Sequence, residues 1–330
     1  MNEKLATVDG RSVLHIERRL VHRPETVWQA ITDPHQLSQW FPSDVEMDFR
    51  VGGQVRFVFR NGEGPTQEGV IRELDPPNRF AFTWGDSLLR WEIRRGEAAG
   101  AVAEAGAVAV AAAVAAVAGA SETAADGAAD AAAVADGQGC VLVLTQIFDD
   151  RPSAASFAAG WQLCFEGLDC VLRGEPVDVS HDRWPALHEG YIHQFGLNEG
   201  VAEAGPDGWS VRFQRQLTRT ADDVWDHLSG HGTVAVGAPV PPGFTIRSFS
   251  AGTITDVERP ASLEYRWLAD GSPAGQVRWE LAAGNGGARL TLTQTGPSAM
   301  VDGCSDALAA WRARIEALAE SLAELSWRPS

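Results

Sequence analysis

The stretch "ERRLVHRPETVWQAI" occupies residues 17–31, and "QRQLTRTADDVWDHL" occupies residues 214–228. Four further blocks return in the same order. "GVIRELDPPNRFAFTW" (69–84) is echoed by "GTITDVERPASLEYRW" (252–267), and "RWEI" from Arg90 by "RWEL" from Arg278. "CVLVLTQ" ending at Gln146 is echoed by "ARLTLTQ" ending at Gln294, and "AAGWQLCFEGLDCVL" around Trp161 by "LAAWRARIEALAESL" around Trp311. Five blocks in one order read as a tandem duplication.

The spacings show where the copies differ. Val27 and Gly69 lie 42 positions apart, whereas Val224 and Gly252 lie 28 apart. The second copy is therefore shorter where the first carries "DPHQLSQWF" and the start of its next strands. Trp91 and Thr145 lie 54 positions apart, against 14 for Trp279 and Thr293. The excess is an Ala-rich insert, residues 98–136, placed in a loop between two strands. Its uncharged run, residues 105–120, has 16 residues, short of the roughly 20 needed to cross a bilayer. An expanded loop, partly helical because Ala favours helix and partly disordered, is the expectation.

Within the first copy "SVLHIERRLVH" alternates as a strand. Pro24 suits a first helical position, and Val27 and Ile31, four apart, share a face. Asp33-Pro34 closes that helix and opens another carrying Leu37 and Trp40. After Gly52-Gly53, Val55, Phe57 and Phe59 point to one face of a strand and Arg56 and Arg60 to the other. Asn61-Gly62 signals a hairpin. "RFAFTW" places Phe80, Phe82 and Trp84 on one face, and "LLRWEI" does the same for Leu89, Trp91 and Ile93. A last strand, "CVLVLTQIF", precedes a long helix that starts near Ser153 and carries Phe157, Trp161, Leu168 and Leu172. Strand, two short helices, a run of antiparallel strands and one long helix imply an α+β fold in which a curved sheet covers its aromatic face with the terminal helix.

This constellation resembles the SRPBCC superfamily, also called START or Bet v-type, with the helix-grip fold. "VWQAITDPHQLSQWF", Gly52-Gly53, "GVIRELDPPNRFAFTW", "LTQ" and Gly160-Trp161 carry the resemblance. The AHSA-type branch, named for activators of a heat-shock-protein ATPase, is the most similar. The resemblance implies two tandem helix-grip domains: an AHSA-type domain over residues 11–177, a linker with a helix over 178–207, and a degenerate, shortened copy over 208–330.

Composition narrows the function classes. Of 330 residues, 12 are Trp and 13 Phe but only 2 Tyr, and the net charge is −17. Such a charge repels a phosphate backbone, so no nucleic-acid partner is expected. Lys4 is the only lysine, and the abundance of Arg, Ala and Gly suggests a GC-rich bacterial genome. The cysteines Cys140, Cys164, Cys170 and Cys304 form no C-x-x-C, which suits a reducing compartment, and "MNEKLATVDGRSVLHIERR" has no apolar signal core. A cytoplasmic protein without a membrane partner is the expectation.

The inward aromatics form the candidate site: Phe57, Phe59, Phe82, Trp84, Trp91, Trp161 and Phe165, with Trp40 and Phe41 near the entrance. They describe either the wall of an apolar pocket for a small hydrophobic ligand or a filled core. Catalytic and metal signatures are poor. Asp223, His227 and His231 recur every four residues, but Gly230 should end their helix before His231. Glu189 and His193 suit an ordinary helical ion pair. No phosphate loop, nucleophile elbow or zinc-protease motif occurs, so no catalytic residue, metal or cofactor is assigned. Trp184, Leu187, Tyr191 and Phe195 recur at helical spacing as a docking stripe. The leading expectation is a non-enzymatic protein whose first domain binds a hydrophobic ligand while the second supports it or binds a protein partner, including a second copy of the chain. The alternatives are a co-chaperone-like interaction module, as the AHSA resemblance implies, and a cyclase or hydrolase acting in the cavity.

Overall fold

A computed structural model describes residues 2–60, 65–95 and 139–325. The Asn61-Gly62 turn and the insert 98–136 lie outside the described residues. The chain divides into two compact units, one built from residues 1–154 and 160–181 and the other from 155–159 and 182–329.

The first unit opens with a hairpin of β1 (Asn2–Val8) and β2 (Arg11–Leu20). Its turn is Asp9-Gly10, both at positive φ, the backbone that a two-residue hairpin loop requires. Strand β1 was not foreseen, although Asp-Gly was its signal. Helices α1 (Pro24–Thr32) and α2 (Pro34–Trp40) follow, each with Pro in its first turn. Asp33 ends the first and caps the second, its Oδ1 accepting from the Gln36 amide at 2.9 Å. Val27 and Ile31 are buried together, as their spacing required. Strands β3 (Ser43–Met47), β4 (Gln54–Phe59), β5 (Gln67–Asp75), β6 (Arg79–Trp84), β7 (Ser87–Arg95) and β8 (Cys140–Phe148) complete an antiparallel sheet ordered β1-β2-β8-β7-β6-β5-β4-β3. Helix α3 (Ala154–Arg173) then brings Trp161, Phe165 and Leu168 into the core and ends on Gly174 in the left-handed region.

The second unit begins with α4 (Trp184–Gln194) and the hairpin β9 (Val201–Gly205) and β10 (Gly208–Gln216). After α5 (Ala221–Ser229) come β11 (Ser250–Glu258), β12 (Ser262–Ala269), β13 (Ser272–Gly284), β14 (Gly287–Gly296) and the long helix α6 (Gly303–Glu324). The sheet order is β11-β12-β13-β14-β10-β9. Apart from α4, the elements run in the order of the first unit. Among the described residues there is no counterpart of α2, β3 or β4.

Both units set their strands in the same register. Trp91 faces Leu144, and Leu89 faces Gln146 across β7–β8; Trp279 faces Leu292, and Val277 faces Gln294 across β13–β14. The glycine that opens each "GVI" or "GTI" block has a steric cause. A Cβ on Gly69 would lie 1.8 Å from the Thr83 carbonyl oxygen, and one on Gly252 would lie 2.9 Å from that of Arg266. The crossing strand leaves no room for a side chain.

Two sequence expectations change, the Glu189–His193 pair and the docking stripe on α4, while Gly230 ends its helix as expected. Glu189 and His193 do not pair with each other: Glu189 holds His188 and Arg215, while His193 Nε2 meets Glu316 at 3.3 Å. Neighbouring elements of the second unit offered both side chains better-placed partners than their own helix did. The stripe on α4 is no open docking face. Tyr191 is buried and stacks on Phe195 at 5.4 Å, Trp184 lies over Gly286, and Leu187 is half-buried. Asp223, His227 and His231 do not converge. Asp223 receives the Thr220 hydroxyl, His227 Nε2 meets Ser321 Oγ at 3.0 Å, and Gly230 ends the helix in the left-handed region. No described helix is long and apolar enough to cross a membrane.

Candidate functional site: an aromatic cage in the first unit

Alternation in β4, β6 and β7 sends every second side chain to the face that α3 covers. Phe57, Phe82 and Trp91 arrive there from three strands and are buried, as are Trp161 and Phe165 from α3. Trp40 closes α2 and is tied back to α1 by a hydrogen bond from its Nε1 to the Ala30 carbonyl at 2.9 Å. Phe41 follows the helix end in extended backbone, which turns its ring inward.

All nine candidate rings meet in one network. Trp91 contacts Trp40, Trp161 and Phe165 edge-on, with centroids 5.6–6.0 Å apart. Phe41 lies 5.2 Å from Trp84 and 5.8 Å from Trp161. Phe57 stacks on Trp84 at 5.1 Å and sits 5.6 Å from Phe82. Phe59 stacks on Trp84 at 6.2 Å. Edge and offset contacts of this kind add to what the buried area contributes. Phe59 and Trp84 alone among the nine keep partial exposure, so the network reaches solvent at one edge.

Two hydrogen bonds fix the sheet side of the cage. Trp161 Nε1 donates to Gln146 Oε1 at 2.7 Å, and Gln146 Nε2 donates to Ser87 Oγ at 3.3 Å. Sequence reading placed the rings but missed three polar groups: Gln146, in the repeated "LTQ"; Ser87, without a signal; and Ser43, wholly buried at the start of β3. Ser43 Oγ and Trp84 Nε1 are closed to water and have no hydrogen-bond partner among the described residues. Arg60, at the end of β4, meets Asp44 at 2.9 Å and also donates to the Ser38 carbonyl, so the cation at the rim is already engaged.

The corresponding space in the second unit is closed differently. The short turn 242–244 puts Phe244 into the core, 5.5 Å from Trp279 and edge-on, the relation that Trp40 has with Trp91. The Phe244 carbonyl accepts from Tyr265 Oη at 3.0 Å and from Trp279 Nε1 at 3.2 Å. Trp279 meets Trp311 at 5.6 Å, and Trp311 Nε1 donates to Gln294. An open surface pocket of about 370 Å³ lies at the C-terminal end of α5, lined by Trp225, Asp226, Ser229, His231 and Arg259 among others.

Two of the thiols, Cys140 and Cys164, are poor nucleophiles. Burial pushes Cys164 up to about 12, and burial together with the Glu25 charge pushes Cys140 up to about 11. Both are protonated at neutral pH, and the thiolate is the reactive form.

Residues 22–173 match the family described as "Activator of Hsp90 ATPase homolog 1-like protein". Over those residues the first unit is similar to AHSA1-like domains, which are of SRPBCC type. No curated protein matches the chain. Among solved structures, EF2215 from Enterococcus faecalis is 14% identical with a TM-score of 0.40, over 58% of this chain and 89% of that one. CalU16 from Micromonospora echinospora is 16% identical with a TM-score of 0.37, over 59% and 94%. DynU16, a protein of the dynemicin biosynthetic locus, is 16% identical with a TM-score of 0.36, over 94% and 99%.

Proposed function

We propose that the first unit binds a small, largely apolar ligand within the aromatic cage, and that the second unit is a shortened copy that supports it. One observation carries this reading. Nine rings converge under α3, and the two that keep exposure, Phe59 and Trp84, lie side by side at one edge. A ligand enters there by parting those two rings, while the buried seven form its wall. The second unit has the same sheet register and helix but fastens Phe244 into its core by the backbone carbonyl. The backbone that carries this ring cannot shift without breaking two buried hydrogen bonds, each costing about 1 kcal/mol or more.

The test uses the full chain and Nile red, a neutral apolar dye. It should bind one dye per chain, and Phe59→Glu should weaken binding at least about ten-fold, because a charge at the mouth opposes apolar entry. Native mass spectrometry should show a retained small molecule or a dye adduct. No dye binding and no adduct would leave a filled core in place of a binding site.

A further inference from the structure

We infer that the ligand of the first unit carries a neutral hydrogen-bond acceptor oxygen on a flat aromatic frame, received by Trp84 Nε1 with Ser43 Oγ beside it. This rests on reading the cage as a binding site.

The argument starts from one indole seen in two settings. Trp84 ends β6 opposite Ser87, and Trp267 lies opposite Gly275 in β12–β13. In the second unit Trp267 Nε1 donates to the Thr295 carbonyl at 2.7 Å. Gly275 permits this, since a Cβ there would lie 2.3 Å from Trp267 Nε1 and 2.0 Å from the Thr295 oxygen. In the first unit the facing residue is Ser87. Its Cβ closes that route, and its hydroxyl serves Gln146 instead. Trp84 turns onto Phe57, with planes 22° apart, and its N–H is left without an acceptor among the described residues.

Ser43 supplies the second, independent observation. It faces Phe59 across β3–β4, so its side chain leaves the sheet on the same face as that ring. It is wholly buried, and its hydroxyl has no partner among the described residues. Two buried polar atoms without partners thus border the two rings that reach solvent. Buried polar groups are satisfied in the great majority of cases, and leaving one unmade costs free energy. A ligand oxygen that parts Phe59 and Trp84 would satisfy the donor. Among the described residues the second unit also holds buried polar atoms without hydrogen-bond partners, Gln294 Nε2, Trp209 Nε1 and His188 Nε2 among them, but on side chains at most 3% exposed, whereas Trp84 keeps partial exposure.

The chemistry of the acceptor follows from the charges nearby. Arg60 is engaged by Asp44 and the Ser38 carbonyl, so this cation is not free to recognise a carboxylate. The chain's net charge of −17 also disfavours an anion. An aryl ketone, quinone or aryl ether fits better than a fatty acid.

Fluorene and fluorenone test this, because they share a three-ring frame and differ by one carbonyl oxygen. Apolar burial alone favours fluorene. Titrated into the full chain, fluorenone should bind about ten-fold tighter, the scale of one buried hydrogen bond. The ratio of the two affinities should fall toward one in Trp84→Phe, and should fall in Ser43→Ala. With ¹⁵N-labelled tryptophan in the wild type, fluorenone should move the Trp84 indole proton downfield and leave that of Trp267 in place. This measurement decides the matter if Trp84→Phe does not fold. Equal binding of the two probes would overturn the acceptor and leave the cage standing. A preference that survives Trp84→Phe would overturn the role of the indole. Binding of neither probe would overturn the inference and the binding reading together.

Discussion

Gln146 and Gln294 hold equivalent tryptophans through the same amide oxygen, yet their amide nitrogens differ. Gln146 Nε2 has Ser87, whereas Gln294 Nε2 has no partner among the described residues. Trp161 is 5% exposed and Trp311 not at all. Trp311→Phe therefore removes the one hydrogen bond that Gln294 makes through its side chain among the described residues and should cost about 2–3 kcal/mol. Trp161→Phe leaves Gln146 anchored to Ser87 and should cost about 1 kcal/mol. Truncation to Ala should keep the order, with Trp311→Ala near 3–5 kcal/mol and Trp161→Ala below it, because the cage edge already lacks some packing partners. Denaturant unfolding of the four variants checks the ranking; equal costs at the two sites would mean equally solid cores. The "LTQ" and late Trp of each unit were legible in the sequence as recurring words. Their hydrogen bond was not, since the partners are 15 and 17 residues apart on different elements.

At the scale of elements, α4 shows how buried charges fasten a helix. Arg215, 1% exposed in β10, meets Glu189 of α4 and lies 3.6 Å from Glu316 of α6. His188 is wholly buried under Trp184, with ring centroids 5.2 Å apart, and its Nδ1 meets Glu189 at 3.1 Å. Burial lowers the His188 pKa below its usual value, and the opposing pull of Glu189 does not restore it. Burial would raise the Glu189 carboxyl, but His188 and Arg215 outweigh it and hold that group below the usual carboxylate range. The signs agree. Each group binds a proton more readily in the unfolded chain, so stability rises with pH across its window. The second unit should lose stability as pH falls below about 6.5, where unfolded His gains its proton, and again below about 4.5. Hydrogen exchange of β10 and β14 between pH 8 and pH 4 should show both steps, and His188→Phe should flatten the upper one. Arg215→Met should cost about 3–5 kcal/mol, because it strands two carboxylates in a poorly solvated place. A change below about 1 kcal/mol would make the network incidental.

At the scale of the whole molecule, the matching strand pairs of the two units make a prediction about the insert. β7 and β8 are paired to their ends, Arg95 facing Cys140, and β13 and β14 make the equivalent connection by a tight turn with Gly284 facing Gly287. Replacing residues 96–139 by that Gly-Asn-Gly-Gly turn should preserve both units. The shorter loop should favour folding by about 2 kcal/mol in closure entropy. Thermal melting checks this, and a fall of many degrees would mean that the insert packs on the body.

The sequence by itself determined the order of most elements, the alternation within the strands and the face on which the aromatic side chains lie. These follow from local rules: period-2 alternation, Pro and Asp at helix starts, and similar sequence blocks that recur in one order. It did not disclose β1 and β9, the partners of Glu189 and His193, or the loss of the Trp84 acceptor. Those depend on what stands across a strand or beneath a helix. Only the tertiary structure decided that Ser87, where the second unit has Gly275, turns an otherwise equivalent indole away from its backbone acceptor. A side chain's partner is set by the surfaces that surround it, and those come from distant parts of the chain.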